Sequence, residues 1–344
     1  MSFFIGAYAA LPKPAVAGTY EPDVERRFFA ALRTLDGIGG LELPFTGTLH
    51  PHDGKAYLDL LKPEWRFVVT GLPGIMNALA RDPHFGLASE SASGRAAALA
   101  FCRGLREAVA TLQRRFGPHA VRFVELHTAP RQGVPGVAAS PAALRDSLRE
   151  LRGWDWHGAR LAIEHCDAYV PGQPPQKGFL ALGDELDALA ATGDCRTPAG
   201  IVLNWGRSAI EGHSAERPLA HVCAARDAGA LVGLMFSGAC AQDPVYGNWQ
   251  DTHAPFAPAF GIRHGAERSE LTAERGQAWL RAAGTGCDVL GIKIQPLPPA
   301  VPLETRIETV RDAIHWLREV CSASGYGAAT GSEATGGGAP KRRP

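Results

Sequence analysis

Strand-like and helix-like segments alternate eight times along this chain, and no other property of the sequence limits its fold as tightly. The strand candidates are short apolar runs: Phe3–Tyr8, Gly40–Pro44, Arg66–Thr70, Val121–His127, the run opening Arg160–Tyr169, Ile201–Asn204, Leu231–Phe236 and Val289–Ile294. Between them lie segments with apolar residues at helical spacing. These are Val24–Leu35 with Asp23 as its cap, His52–Leu61, a broken helical region resuming as Ser93–Phe116, and Pro141–Leu151 with Ser140 as cap. Phe179–Ala191, Pro218–Asp227, Leu271–Ala283 and Leu303–Ser322 complete the series. Parallel strands joined by helices are buried on both faces, which accounts for the apolar character of the strands. Eight such units close into a (β/α)8 TIM barrel. A doubly wound open sheet is the competing architecture, but no G-x-G-x-x-G follows the first strand. Residues 1–324 therefore read as one barrel domain, and residues 325–344, rich in Gly, Ala, Ser and Thr, as a disordered tail.

The polar residues of the strands gather at their C-terminal ends. In Arg160–Tyr169 (RLAIEHCDAY), Leu161 and Ile163 alternate with Ala162 and Glu164. Successive strand side chains point to opposite faces, so Glu164 faces the barrel axis if Leu161 and Ile163 face the helices. The same assignment delivers Glu42 from strand two, Glu125 and His127 from strand four, Asn204 from strand six, and Lys293 with Gln295 from strand eight. Ser237 stands at the end of strand seven. A buried carboxylate is costly unless paired or bound, and structural pairing, for example of Glu125 with Lys293, would account for any one of these residues. Their convergence on the end of the barrel where active sites are built points instead to a functional mouth. Charged groups crowded there shift one another's pKa values.

Two loops add to it. After strand six, Trp205-Gly206-Arg207-Ser208 offers Arg207, whose planar fork suits a carboxylate or phosphate. Residues 238–268 are far longer than a usual βα loop and carry Tyr246, Trp249, His253, Phe256, Phe260 and His264. A lid with aromatic faces for a sugar ring is the expectation, with Trp249 and His253 among its binding residues. A contact between two copies of the chain, a homodimer, is the alternative.

Composition excludes several partners. With 35 basic and 35 acidic residues the formal net charge is zero, which disfavours a nucleic-acid partner. No apolar run approaches the roughly 18–20 residues of a membrane span. The N-terminal MSFFIGAYAALPKP lacks a basic leader and is interrupted by Pro12 and Pro14, so it reads as a strand and not a signal peptide. Seven cysteines without C-x-x-C spacing fit reduced thiols and a cytoplasmic protein.

The segments GAYAALP (Gly6–Pro12), LELPF (Leu41–Phe45), VELHTAP (Val124–Pro130), AIEHCDA (Ala162–Ala168) with KGFL (Lys177–Leu180), and NWGRSAIEG (Asn204–Gly212) resemble the bacterial family of unknown function DUF4862. That family lies within the xylose-isomerase-like barrels, which include sugar isomerases and epimerases and endonuclease-four-type nucleases. The wider resemblance implies a divalent metal held by Glu, Asp, His and Glu on strands five to eight. The matching positions here are Glu164, Asn204, Ser237 and Lys293. An ammonium repels a cation, and neutral Asn and Ser are weak replacements, so the ligand set is incomplete. A divalent metal at Glu42, His127 and Glu164 is the alternative.

The function expected is an isomerase or epimerase acting on a sugar, sugar acid or polyol. Glu164 or Glu125 would remove a proton beside a carbonyl, while Lys293 or His127 supplies the charge or proton that stabilises the enediolate. Lys293 as a Schiff-base nucleophile is a variant. Glu42, Asn204, Trp205, Arg207, Trp249 and His253 would bind the substrate. The competing function is a sugar-binding barrel that has lost its metal and its chemistry. A metal-dependent nuclease fits poorly, since the chain is neutral and lacks a His-rich, multi-metal mouth.

Overall fold

The alternation of side chains along each strand sorts the apolar residues into two separate layers. A computed structural model describes residues 1–13 and 19–327. Its eight strands are β1 (Phe3–Ile5), β2 (Ile38–Pro44), β3 (Arg66–Thr70), β4 (Val121–Leu126), β5 (Arg160–His165), β6 (Ala199–Asn204), β7 (Leu231–Phe236) and β8 (Val289–Ile292). They form a closed parallel barrel in sequence order, with β1 pairing β8 through Phe4–Gly291 and Ile5–Ile292. Val68, Phe123, Ala162, Val202, Val232, Met235 and Val289 fill the interior. Leu41, Leu43, Val69, Val124, Leu161, Ile163, Leu203, Leu234 and Ile292 point outward into the larger layer beneath the helices.

The helices are α1 (Ala7–Ala10), α2 (Pro22–Leu32), α3 (Gly54–Leu60), α4 (Leu72–Leu79), α5 (Ala92–Phe116), α6 (Pro141–Gly153), α7 (Leu182–Ala190), α8 (Trp205–Gly212), α9 (Arg217–Asp227), α10 (Ala273–Ala283) and α11 (Leu303–Ser324). Side-chain oxygens satisfy several of their first amides. Ser140 accepts from Ala143 N–H at 3.3 Å, Ser91 from Gly94 at 3.3 Å and Asp53 from Ala56 at 2.9 Å. Asp23 is not a cap: α2 starts at Pro22, and Asp23 lies in its first turn, ion-paired with Arg26. Phe179–Ala181 stays outside α7 because Tyr169 N–H bonds the Phe179 carbonyl at 3.2 Å, holding that segment against the end of β5.

The tail expected at 325–344 divides in two. Gly325 ends α11 with φ +72°, a left-handed conformation that glycine adopts without strain. Tyr326 N–H then bonds the Cys321 carbonyl at 3.1 Å, and its ring packs on the core. Residues 328–344 lie outside the described residues. All seven cysteines are free thiols, and no described helix is long and apolar enough to cross a membrane.

Candidate functional site

The barrel mouth is built around Lys293, one residue beyond β8. Its ammonium lies 2.5 Å from Glu42 Oε1 and 3.5 Å from Glu164 Oε1. The ring of Tyr8 lies 5.3 Å from the same nitrogen, and its hydroxyl donates to Glu42 at 3.4 Å. Gly6 makes room for this pair: a Cβ there would stand 2.8 Å from Glu42 Oε2 and 2.9 Å from Lys293 Cγ. On the opposite side Glu164 meets Arg207, with Nη1 at 2.5 Å, and His127, with Nε2 at 2.8 Å. Glu125 completes the layer with neither carboxyl oxygen hydrogen-bonded to protein. Glu42, Glu125, His127, Glu164, Arg207 and Lys293 are all at most 1% exposed.

Burial and neighbouring charge push these groups apart. Burial raises Glu125 well above the usual carboxylate range, and Glu164 and Glu42 push it the same way. Burial also raises Glu42, against the pull of Lys293. For Glu164 burial is outweighed by Arg207, Lys293 and the His127 hydrogen bond, which hold it well below the usual range as an anion. Burial would lower Lys293, yet Glu164 and Glu42 overcome it and hold the ammonium well above its ordinary value. Burial lowers His127, leaving a neutral imidazole whose Nε2–H faces Glu164.

Asn204 and Arg207 are held by an element that was expected to be a loop. Residues 205–212 form α8, and Asn204 is its cap, accepting from Arg207 N–H at 3.3 Å and from Ser237 Oγ at 2.7 Å. The cap turns the chain so that Arg207 re-enters the mouth. Gly206 lets α8 lie against the end of β7, where a Cβ would come within 2.7 Å of Ser237 Oγ. Trp205 points away from the mouth and packs in the outer core, 1% exposed.

The long segment between β7 and α10 crosses the mouth in an ordered path. Antiparallel bridges Gly238–Ala254 and Cys240–Ser269 shape it, and the His253 carbonyl accepts from Gln295 N–H at 2.7 Å. Its rings mostly anchor the segment. Phe256 packs on Trp316 at 4.3 Å between centroids, Trp249 stacks on His213 at 5.6 Å, and His264 bonds Asp312 at 3.0 Å. Asp251 is the contact that sequence reasoning missed. It is nearly buried, and its Oδ2 takes Lys177 Nζ at 2.8 Å and Arg207 Nε at 3.3 Å, with His253 Nδ1 at 3.2 Å from Oδ1. Lys177, His253 and Arg207 together outweigh burial and hold Asp251 well below the usual range, while burial pushes His253 down to about 3. Asp251 lies in a segment without helical or strand periodicity, which gave no local signal for it.

Above the charged layer lies a cavity of about 240 Å³ lined by Tyr8, Lys13, Lys177, Arg207, Asp251, His253 and Gln295, among others. Tyr8 and Arg207 form its floor and touch Glu42 and Glu164 beneath. A second cavity, about 330 Å³, adjoins it across Tyr8 and is lined by Tyr20, Glu25, His50, His52 and Tyr57. Neither Trp205 nor Trp249 lines the mouth cavity.

The divalent metal that the resemblance implies does not fit these residues. Oxygens of Glu42, Glu125 and Glu164 gather within 4.8 Å, but His127 does not join that group, being turned to Glu164 alone. The Lys293 ammonium already stands between Glu42 and Glu164, Arg207 covers Glu164, and the Asn204 carbonyl oxygen is taken by Arg207 N–H and Ser237. A divalent ion there would face two fixed cations.

The closed parallel barrel with helices outside has the fold of the xylose-isomerase-like barrels. Within that class the chain belongs to the family described as Domain of unknown function (DUF4862), which it matches over residues 4–309. An uncharacterized protein of Salmonella typhimurium is 34% identical over 318 residues, covering 92% of this chain and 97% of the relative. Among solved structures, D-psicose 3-epimerase with D-tagatose from Clostridium cellulolyticum H10 superposes with a TM-score of 0.57 at 13% identity, over 93% of this chain and 99% of that one. D-allulose 3-epimerase from Methylomonas sp. in complex with D-allulose gives 0.55 at 14%, over 92% and 96%.

Proposed function

We propose that this chain moves a proton at the carbon beside a carbonyl of a sugar or sugar acid, as an isomerase or epimerase that uses fixed side-chain cations in place of a divalent ion. One observation carries this: two buried carboxylates, Glu164 and Glu125, lie in one mouth with their pKa values driven in opposite directions. Such a pair divides the labour of base and acid. Glu164 is the ionised partner and removes the proton; Glu125 is the protonated partner and returns one. Lys293 and Arg207 supply the positive charge for the developing enediolate oxygen. His127 orients Glu164, and Glu42 keeps Lys293 charged. The likeness of the fold to sugar epimerases supports the substrate class. Residues 238–268 act as a lid, because Asp251 and His253 lie over the mouth and the charged layer below is sealed from solvent.

The test is solvent exchange. Protein incubated in D2O with a panel of sugars and sugar acids is expected to place deuterium at the carbon next to the carbonyl, read by NMR. Glu164→Gln should abolish exchange while the fold survives, and added manganese or cobalt should not raise the rate. Exchange retained by Glu164→Gln would defeat the assignment.

The sealing itself favours the second reading, a sugar-binding barrel without chemistry. Ligand-dependent melting shifts with no exchange for any bound sugar would select it.

A further inference from the structure

We propose that the barrel wall carries a zinc-class divalent metal site, formed by His165, Glu211 and His221 and separate from the mouth. His165 ends β5 with its ring directed away from the barrel axis, opposite to Glu164. It enters a polar cluster between the sheet and α7, α8 and α9, where His165 is fully buried and Glu211 and His221 are each 6% exposed. The ligand atoms of the three residues lie within 4.8 Å of one another.

The arrangement of the rings points to a metal more than their proximity does. Both imidazoles present Nε2 to the one carboxylate: His165 to Glu211 Oε2 at 3.0 Å, and His221 to Glu211 Oε1 at 3.2 Å. Both have Nδ1 tied off from behind, His165 by Glu185 at 2.8 Å and His221 by Ser208 at 3.0 Å. Glu185 is in turn held by Thr128 Oγ1 at 2.7 Å. An acceptor behind each ring is what fixes a metal-binding imidazole's tautomer and direction. The spacing agrees, since bonds of about 2.0–2.1 Å in a tetrahedron give ligand–ligand edges of roughly 3.3 Å. Two imidazoles and a carboxylate are a zinc ligand set that leaves a position for water.

The mouth and the wall differ in one respect that decides between them. Lys293 cannot become a ligand while it keeps its proton. His165 has a second ring nitrogen: the metal enters, the proton on Nε2 leaves to solvent, and the freed lone pair binds, while Nδ1–H stays donated to Glu185. Glu211 lines a small void with Asp167, Gln173 and His213. Arg217, 3.5 Å from Glu211 Oε1, is 44% exposed and free to turn outward.

The experiment uses the full chain, stripped with a chelator, incubated with zinc sulfate, desalted and measured by mass spectrometry of the metal. Wild type and Glu164→Gln are expected to keep one zinc per chain. Glu211→Gln and His221→Gln should lose it, and zinc should raise the melting temperature of the first pair only. No zinc retained by wild type overturns the proposal and leaves His165 as an ionic cross-link. Zinc retained by folded His221→Gln, or lost by Glu164→Gln, overturns it as well, the latter moving the ion to the mouth. Should both wall variants fail to fold, cobalt-loaded wild type decides: an intense visible spectrum of low coordination is expected, and a weak six-coordinate spectrum refutes the site.

Discussion

Replacing Lys293 by Met tests whether a fixed ammonium holds the barrel mouth together. Lys293 faces Glu42 at 2.5 Å and Glu164 at 3.5 Å, and all three side chains are inaccessible to solvent. At an effective dielectric of about 20 these separations correspond to roughly 7 and 5 kcal/mol of attraction, before the cost of desolvation is subtracted. Removing one partner of a buried pair leaves the other charge uncompensated and typically costs about 3–5 kcal/mol. With an unfolding entropy of about 2.1 cal/mol/K per residue over 344 residues, that is a melting point lower by about 4–7 °C. The loss falls mainly on Glu42. Glu164 keeps Arg207 and His127, whereas Glu42 keeps, among the described residues, the Tyr8 hydroxyl at 3.4 Å and a weaker attraction from Arg207.

The pH dependence follows from that asymmetry. Burial already raises Glu42, and Lys293 is the main group opposing it. Without Lys293 the folded value rises further, so the penalty is complete above that value and fades as pH falls and Glu42 takes up a proton. Differential scanning fluorimetry from pH 5 to 8 should therefore show the largest deficit at pH 8. Adding Glu42→Gln to the Lys293→Met variant should recover much of it, and adding Glu164→Gln should not, since that removes the closer of Arg207's two carboxylate partners. A deficit that does not grow with pH, or a rescue by Glu164→Gln and not by Glu42→Gln, would refute the reasoning.

Asp251→Asn should loosen the mouth crossing, with faster limited proteolysis within 238–268 and a stability loss of about 3 kcal/mol. Because Asp251 is held below its usual range, its contribution is present above the unfolded carboxylate pKa and disappears as pH falls through the folded value, so wild type and variant should converge in acid. A sugar acid that binds the mouth should slow proteolysis of wild type; cutting that depends on dilution instead would identify an interface between copies. Ending the chain at Ser324 should lower the melting point by a degree or more against a chain ending at Gly327, since Gly325 and Tyr326 close α11 on the core. Gly6→Ala should lower stability and solvent exchange together, because its Cβ meets the Glu42–Lys293 pair within 3 Å.

The alternation of apolar residues was enough to assign the sheet, the layers and the face of each mouth residue. Leu161 and Ile163 could only go under helices, which put Glu164 on the axis, and the same parity set Glu42, Glu125 and Lys293. Residue type alone likewise argued against the usual metal, since an ammonium stands where a carboxylate would ligate. Local order cannot report what ring closure does. Glu42 and Lys293 are 251 positions apart and touch because closure of the barrel leaves only β1 between β2 and β8. Trp205 and Arg207, two positions apart, looked like equivalent loop residues until Asn204 capped α8 and turned one into the core and the other into the mouth. Asp251 sits in a segment without periodicity, so only its tertiary path shows that it lies on Lys177 and Arg207. His165 carried the same parity signal as Leu161 and Ile163, outward beneath the helices. Glu185, Glu211 and His221 came to meet it from three different helices, because a buried imidazole must be paired and the partners available on its own strand point the other way.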